Sequence, residues 1–400
     1  MRYDFTTMLK RHGKDSTAVD SIGAPGCPAA PKEGFEAIPM WVADMNFATC
    51  PAITEAMIKR AKHPAFGYFR PSEEYYASII NWQKVRNGVQ GLNPENIGYE
   101  NGVLGGVVSA LNALCARGDK VLVHSPTYIG FTFALERNGY RIVHSPLYKD
   151  DQNIWRMDLA DMERKIVENK IHAAIICSPH NPCGRVWERT EIEKAMEVYA
   201  ANDCIVISDE IWSDIIMPGH THIPTQSVSE DAKMRTVAFY APSKTFSLAG
   251  LVGSYHVIYD PLLRDRVRAE GHATRYNEMN VLSMHALIGA YSEEGNRWTD
   301  EMISVIDGNL RYACSFIEEN FPGVQVMLPQ GTYMLYLDCT PWCEEHGVTI
   351  DELQRRGVRK GVIWQNGEAF FRKNTIRMNL ALPFSMEEEA FRRLKEFVFV

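Results

Sequence analysis

The chain of 400 residues is too long for one small hydrophobic core and suits a large domain with a smaller companion. Its composition, 46% hydrophobic and 23% charged, is ordinary for a globular protein. A net charge of −8 at pH 7 argues against a nucleic acid or an anionic membrane as partner, because both favour basic surfaces.

Membrane spans, targeting signals and metal sites are not expected from the sequence. No run approaches the roughly 18 apolar residues that cross a bilayer. The first residues, 1–5, lack the apolar stretch of a signal peptide. The nine cysteines are scattered without paired metal-ligand spacing and are interpreted as reduced. We therefore expect a cytoplasmic protein that binds no metal ion.

The predicted elements follow an N-terminal arm of about 36 residues. Helices are predicted at 51–62, 73–86, 108–115, 158–169, 261–270, 281–291 and 298–320, and strands at 120–124, 141–143, 173–177, 204–208, 235–239, 331–338, 361–364 and 375–383. Between residues 100 and 260, strands rich in Val and Ile alternate with helices, which predicts a largely parallel sheet covered on both faces. The predicted domains are an arm with part of a small domain (1–50), a large domain (51–290) and a small domain (291–400).

A glycine-rich turn precedes the predicted helix at 108–115. It reads Gly102-Val103-Leu104-Gly105-Gly106-Val107. Backbone amides at a glycine-rich helix start converge on an anion, and the helix dipole favours negative charge there. The turn is therefore a candidate phosphate site.

Three charged residues stand in apolar surroundings. Asp209 ends a predicted strand, where it could keep a cofactor ring nitrogen protonated or cap the next helix. Lys244 follows an apolar strand among small residues and is a candidate Schiff-base lysine, the alternative being a solvated loop lysine. Arg377 is a candidate for binding a carboxylate, because a guanidinium forms bidentate pairs with that group; a surface arginine is the alternative.

Four motifs occur together with these residues. They are Pro39-Met40-Trp41-Val42-Ala43-Asp44-Met45-Asn46-Phe47, Gly67-Tyr68 with Pro71, Ser178-Pro179-His180-Asn181-Pro182-Cys183-Gly184, and Ser243-Lys244-Thr245-Phe246. In this order they resemble fold-type I pyridoxal-phosphate enzymes, specifically the cystathionine β-lyase/C–S lyase branch. The resemblance extends from Asp4 to Pro383. Asn46 departs from the aspartate usual in the first motif, which puts local substrate contacts in doubt.

The resemblance implies an α/β, aspartate aminotransferase-like fold of pyridoxal-phosphate-dependent transferases. In this fold a large domain with a mostly parallel central sheet is joined to a smaller α+β domain. The implied cofactor is pyridoxal 5'-phosphate, held by Lys244, and the implied assembly is a homodimer. Tyr68 would contact the cofactor phosphate of the neighbouring subunit, although a packed aromatic at a helix entry is its alternative role.

The remaining roles are also implied by the resemblance. Asn181 would donate to the pyridoxal O3′ atom, although Asn-Pro is also routine in turns. Tyr128 would stack on the pyridine ring, and Ser243 would lie nearest the phosphate. Most aminotransferases carry a tyrosine that bonds O3′ where this chain has Trp212, so Asn181 is the main candidate donor to that atom.

The implied activity is α,β-elimination from an L-cysteine-type thioether, giving a thiol, pyruvate and ammonia. Lys244 would remove the Cα proton and Arg377 would hold the substrate α-carboxylate. Transamination of an L-amino acid uses the same residues and remains the alternative. Val252 favours the lyase, because many aminotransferases have an arginine there. A regulatory role remains open as an additional function.

Overall fold

The computed structural model describes residues 1–400 and divides into two compact units. The smaller unit comprises residues 1–48, 182–184 and 301–400, and the larger comprises residues 49–181 and 185–300.

The helices lie mainly where apolar residues recur at helical spacing. In chain order they are α1 (Thr17–Asp20), α2 (Pro51–Ala61), α3 (Glu73–Asn87), α4 (Val103–Leu114), α5 (Ile129–Arg137), α6 (Leu159–Asn169), α7 (Arg189–Ala201), α8 (Glu230–Arg235), α9 (Pro261–Thr274), α10 (Val281–Ala290), α11 (Glu293–Asn320), α12 (Thr340–His346), α13 (Ile350–Arg359) and α14 (Phe384–Phe397). Side-chain caps fix several starts: Ser72, Asp260 and Asn280 accept hydrogen bonds from first-turn amides of α3, α9 and α10. A helix with the length and apolar character of a membrane span is absent.

The strands are short and mostly buried. They are β1 (Ile38–Pro39), β2 (Ile97–Asn101), β3 (Lys120–Ser125), β4 (Arg141–Pro146), β5 (Tyr148–Lys149), β6 (Trp155–Arg156), β7 (Ala173–Cys177), β8 (Ile205–Asp209), β9 (Thr236–Tyr240), β10 (Gly253–Val257), β11 (Gln325–Val326), β12 (Met334–Asp338), β13 (Val362–Ile363), β14 (Gln365–Asn366) and β15 (Thr375–Asn379).

The larger unit is built on a seven-stranded sheet in the order β2-β10-β9-β8-β7-β3-β4. β10 runs antiparallel to both of its neighbours, and the strands from β9 to β4 are parallel to one another. The predicted largely parallel sheet is therefore confirmed. Asp209 at the end of β8 pairs in register with Cys177 of β7 and Phe239 of β9. This register brings the carboxyl ends of three strands together.

The start of α4 differs from the prediction. The helix begins at Val103 rather than at residue 108, so Gly105 and Gly106 lie inside its first turns. Glycine is a poor helix former, which is why the sequence suggested a preceding loop. Packing overrides this propensity: a Cβ on Gly106 would lie 2.4 Å from the ring of Phe239. Only glycine lets the helix approach the sheet so closely at that point.

The smaller unit contains a four-stranded antiparallel sheet in the order β11-β12-β15-β14. A separate parallel pair joins β1 to β13. Arg377 lies in the middle of β15, opposite Tyr336 of β12 and Gln365 of β14.

The nine cysteines are all free thiols, and seven of them are buried. Burial raises the pKa of six thiols: Cys50, Cys115, Cys204, Cys314, Cys339 and Cys343. The pKa rises to about 11 for Cys115 and to about 12 for Cys204 and Cys314.

Candidate active site

A cavity of about 250 Å³ lies at the carboxyl ends of β7 and β8 in the larger unit. Open α/β sheets bind their ligands at this edge. Eight predicted site residues line it: Val103, Leu104, Tyr128, Asn181, Asp209, Trp212, Ser243 and Lys244. The structure thus brings together residues from segments more than 140 positions apart in the chain.

Asp209 is a buried carboxylate in this cavity. Only 3% of the residue is exposed, and burial raises its pKa to about 7. A hydrogen bond of 3.1 Å from the Ile211 amide and the charge of Lys244 act in the opposite direction. A buried carboxylate of this kind favours a cationic partner, such as a protonated ring nitrogen.

The lysine that faces this carboxylate follows β9 in a tight turn. The Phe246 amide donates to the carbonyl of Pro242 at 2.9 Å, and the Leu248 amide donates to that of Ser243 at 3.0 Å. Lys244 Nζ lies 5.8 Å from the ring centroid of Trp212, within the range of a cation–π contact. The indole therefore forms part of the surroundings of the lysine amine.

The first turn of α4 supplies amide groups to the same cavity. Gly102 precedes the helix at φ +78°, and the helix has no side-chain cap there. Ser243 also lines the cavity, whereas no arginine does. Val252, at the position predicted to lack an arginine, lines the cavity with φ +63°. An anion at this point would therefore be met by helix amides and a hydroxyl rather than by a guanidinium.

The ring of Tyr128 has its place in the cavity wall because of a glycine two residues later. A Cβ on Gly130 would lie 2.4 Å from that ring. The ring also makes an edge contact with Phe131, at 5.4 Å between centroids. Gly130 was not singled out in the sequence, since a lone glycine has no local signature of such a contact.

Glu210 carries a polar network that the sequence did not reveal. Its Oε2 accepts from Tyr240 at 2.8 Å and lies 2.7 Å from His222 Nε2. Its Oε1 accepts from the Ser208 hydroxyl at 2.9 Å and from the Thr225 amide at 3.0 Å. The network fixes the chain immediately after Asp209. Its partners come from β8, from β9 and from the segment between these strands, so no local spacing in the sequence predicts the network.

Tyr68 does not line the cavity. Its side chain is fully exposed, and it belongs to a different cleft of about 1160 Å³ in the larger unit. Phe66 and Phe69 line the same cleft and are also exposed. The chain therefore presents an aromatic surface at this point.

Arg377 belongs to the smaller unit and is only 4% exposed. Its guanidinium lies 4.8 Å above the ring of Phe370, and Nη2 donates to the Trp41 carbonyl at 2.9 Å. A surface arginine is thereby excluded. The planar group is oriented by an aromatic face and by the motif at 39–47.

Asn46 is held by Arg11 in the same unit. Its Oδ1 accepts from Arg11 Nη1 at 2.9 Å, and Arg11 also forms an ion pair with Asp44. Asn46 is buried, so its neutral oxygen serves as an acceptor without adding a second negative charge.

The residues at the cavity fit pyridoxal phosphate by their chemistry. Lys244 offers an amine for the aldehyde, Asp209 a buried carboxylate for the ring nitrogen, and Asn181 an amide. Tyr128 offers a ring face, and the start of α4 offers amides for a phosphate.

The relationship to known proteins agrees with this donor set. The profile of the family described as aminotransferase class I and II matches residues 38–394. The chain belongs to this family. Among its relatives, cystathionine beta-lyase PatB of Bacillus subtilis is 35% identical over 90% of this chain and 92% of its own length. Protein MalY of Escherichia coli is 29% identical over 97% of this chain and 96% of its own length.

A solved member with a similar structure is cystalysin from Treponema denticola. It superposes with a TM-score of 0.92 and is 31% identical, covering 99% of this chain and 98% of its own. Its structure contains a pyridoxal 5'-phosphate cofactor. These comparisons confirm the predicted family branch and the predicted aminotransferase-like fold.

Proposed function

We propose that this protein is a pyridoxal-phosphate-dependent C–S β-lyase that cleaves an L-cysteine-type thioether to a thiol, pyruvate and ammonia. The observation that carries the proposal is the meeting of Lys244, Asp209 and the first turn of α4 at one cavity. The similarity to PatB, a cystathionine β-lyase, supports the reaction type, and the similarity to cystalysin supports the cofactor.

In this proposal the cofactor is held by groups on several elements. Lys244 binds it through its amine, while Asn181 donates to the ring hydroxyl. The first-turn amides of Val103 and Leu104 receive the phosphate, aided by the Ser243 hydroxyl. Tyr128 and Trp212 supply the apolar walls, and they exclude water from the reacting atoms.

When bound, pyridoxal phosphate supplies an electron sink for the pair that remains after Cα loses its proton. The Lys244 amine takes that proton, and Asp209 keeps a proton on the ring nitrogen. Arg377 holds the substrate α-carboxylate through a bidentate pair. The C–S bond then breaks, and the sulfur leaves as a thiolate that takes up a proton. One water converts the three-carbon remainder to pyruvate and ammonia.

The test is turnover without any keto acid. Purified protein with pyridoxal phosphate is incubated with L-cystathionine or L-cysteine, and pyruvate and free thiol are assayed. We expect pyruvate in large excess over enzyme, absent with Lys244→Ala and retained with the exposed-surface variant Lys395→Ala. Amino-acid loss that depends on an added keto acid, with no pyruvate, would instead establish an aminotransferase.

The proposal includes a homodimer in which Tyr68 of one subunit reaches the cofactor phosphate of the other. It is supported by the full exposure of Tyr68 and by the exposed Phe66 and Phe69 beside it. Monomers exposing such an aromatic patch are unusual, because apolar surface favours a partner.

Mixing two inactive variants tests the shared site. Lys244→Ala and Tyr68→Ala subunits, unfolded and refolded together, would form hybrids with one complete site. For random pairing we expect recovery of about a quarter of the wild-type activity, as two-fold symmetry requires. A fully active monomer in sedimentation analysis would overturn this part of the proposal.

We further infer a cytoplasmic location. The support is that all nine cysteines are free, as is usual in a reducing compartment. Fractionation of the source cells with an antibody to the chain tests this location.

A further inference from the structure

Asp214 is a buried carboxylate, 4% exposed, that joins two other segments of the larger unit. Its Oδ1 accepts from the indole nitrogen of Trp82 in α3 at 2.9 Å. Its Oδ2 accepts from the Thr245 hydroxyl at 2.8 Å. Thr245 is fully buried and directly follows Lys244.

The segment that carries Asp214 also carries Asp209. It turns tightly after β8, with hydrogen bonds of 3.0 Å from the Ser213 amide to the Glu210 carbonyl and from the Ile215 amide to the Trp212 carbonyl. Four residues lie between Asp209, which faces the cavity, and Asp214, which accepts from Thr245. The two hydrogen bonds fold the backbone that connects these carboxylates into consecutive turns.

The Trp82 indole, which donates to Asp214, is itself packed between aromatic rings. The indole stacks on Tyr291, with centroids 4.5 Å apart and planes at 4°, and it lies 5.9 Å from the ring of Phe246. The backbone carbonyl of Asp214 accepts from Arg86 at 3.2 Å. Burial raises the pKa of Asp214 above its usual value, against the opposing effects of the Arg86 charge and of the hydrogen bonds from Thr245 and Trp82. The carboxylate is thus held between Trp82 of α3 and Thr245 of the lysine turn.

We propose that Asp214, acting through the Thr245 hydroxyl, is a positioning residue that fixes the Lys244 backbone relative to Asp209. The inference rests on the proposed function, in which the lysine amine must bind the cofactor and then, once released, reach the substrate Cα. The Lys244 side chain must change position between these two steps, while the Lys244 backbone stays in place. A displacement of about 1 Å in such a group costs roughly 100-fold in rate.

The test uses Thr245→Val, which removes the hydroxyl with little change in shape, and Thr245→Ser, which restores it. Thr299→Val is the matched control, since Thr299 is fully buried and donates to the Gly295 carbonyl at 2.9 Å. The first measurement needs no substrate. Apoprotein is mixed with pyridoxal phosphate, the Lys244 adduct is reduced with borohydride at timed intervals, and the modified peptide is quantified by mass spectrometry.

The second measurement is the kinetic isotope effect on kcat with substrate deuterated at Cα. For Thr245→Val we expect adduct formation slowed by about 10- to 100-fold, a larger isotope effect and a nearly unchanged KM, because Cα proton removal becomes slower. Thr245→Ser should return both values to within about threefold of wild type. Adduct formation and isotope effect equal to those of Thr299→Val would overturn the inference.

Asp214→Asn provides a second variant with the same expected changes. If Thr245→Val and Asp214→Asn both fail to fold while Thr299→Val folds, the pair has a structural role only and the inference is overturned. Failure of the proposed function is distinguishable: a wild-type protein without lyase activity would still show whether Thr245 controls adduct formation at Lys244.

Discussion

Tyr240, the last residue of β9, donates a hydrogen bond of 2.8 Å to Glu210, which directly follows β8. The carboxylate is fully buried and faces donors on both oxygens. We expect Glu210→Gln to lower the free energy of unfolding by about 2–3 kcal/mol, because the new amide directs a donor at a donor. Urea denaturation measures this loss.

The control for this change is Glu293→Gln. The Glu293 side chain is 84% exposed and pairs with Arg297 on the helix surface. Glu293→Gln should lower the free energy of unfolding by less than about 0.5 kcal/mol. Equal losses for the two variants would mean that the Glu210 network adds nothing to stability.

Glu387 should make stability depend on pH. It is fully buried in α14, neither carboxylate oxygen has a hydrogen-bond partner, and burial raises its pKa to about 9. The folded protein therefore keeps this carboxyl protonated, while the unfolded chain ionises near its ordinary value. The contribution of Glu387 to the free energy of unfolding is therefore highest at low pH, where both states are protonated. It falls progressively as the pH rises towards 9, because only the unfolded chain ionises over this range.

The matched variant is Glu387→Gln, which stays neutral at every pH. Relative to it, wild-type stability should fall by about 1.4 kcal/mol per pH unit between pH 5 and pH 9. Urea titrations at pH 5, 7 and 8.5 check the slope. Glu388→Gln, at the adjacent exposed residue, keeps Glu387 and should therefore give a curve parallel to that of wild type. Parallel curves for wild type and Glu387→Gln would contradict the prediction.

Gly105 should control cofactor binding. A Cβ at this position would lie 2.7 Å from the ring of Tyr276, whose hydroxyl is held by Glu100 at 2.6 Å. Because Tyr276 cannot retreat freely, Gly105→Ala should displace the first turn of α4. We expect pyridoxal phosphate to bind at least about tenfold more weakly, a loss of 1.4 kcal/mol. Equilibrium dialysis measures the dissociation constant.

Gly308→Ala separates this clash from the ordinary effect of the substitution. A Cβ on Gly308, in the interior of α11, meets nothing within 4 Å. This variant should gain about 0.5–1 kcal/mol of stability and bind the cofactor normally. Normal cofactor binding by Gly105→Ala would show that the first turn tolerates the side chain.

Asp209→Asn should make the apoprotein more stable and the holoprotein less active. Burial raises the pKa of Asp209 to about 7. The free energy of unfolding of the apoprotein therefore falls as the pH rises from about 4 to 7 and stays at the lower value above pH 7. Above pH 7 the apo variant should therefore be more stable than wild type by roughly 4 kcal/mol. Its kcat should fall by about 100-fold or more, because the ring nitrogen loses its anionic partner.

Thermal unfolding of the apoproteins and kcat of the holoproteins test the two halves of this prediction. Asp265→Asn, with a 70% exposed side chain, should change neither. A variant with lowered apoprotein stability would mean that Asp209 is stabilised by its surroundings rather than strained by burial.

Much of the site was predictable from the sequence because its residues follow strands. Asp209 and Asn181 come after Val- and Ile-rich runs, and parallel strands bring such positions to one edge. Lys244 was identified by its neighbours in the motif. For these residues, local pattern and order along the chain were sufficient to predict that they lie at one cavity, while their roles stay predictions.

Other features depend on contacts that local sequence does not encode. The predicted start of α4 was wrong, because burial of Gly106 against Phe239 outweighs the low helix propensity of glycine. The contact between Asp214 and Thr245 joins loops 31 residues apart, whose paths are set by the packed sheet. Tyr68 stays a prediction, since its partner would be another chain.

The raised pKa values of the buried thiols have a consequence for a protein that releases a thiol at every turnover. Disulfide exchange proceeds through the thiolate, and Cys115, Cys204 and Cys314 remain protonated at neutral pH. When the released product is oxidised to a disulfide, these sulfurs do not attack it. These three positions are thereby protected from disulfide exchange with the product.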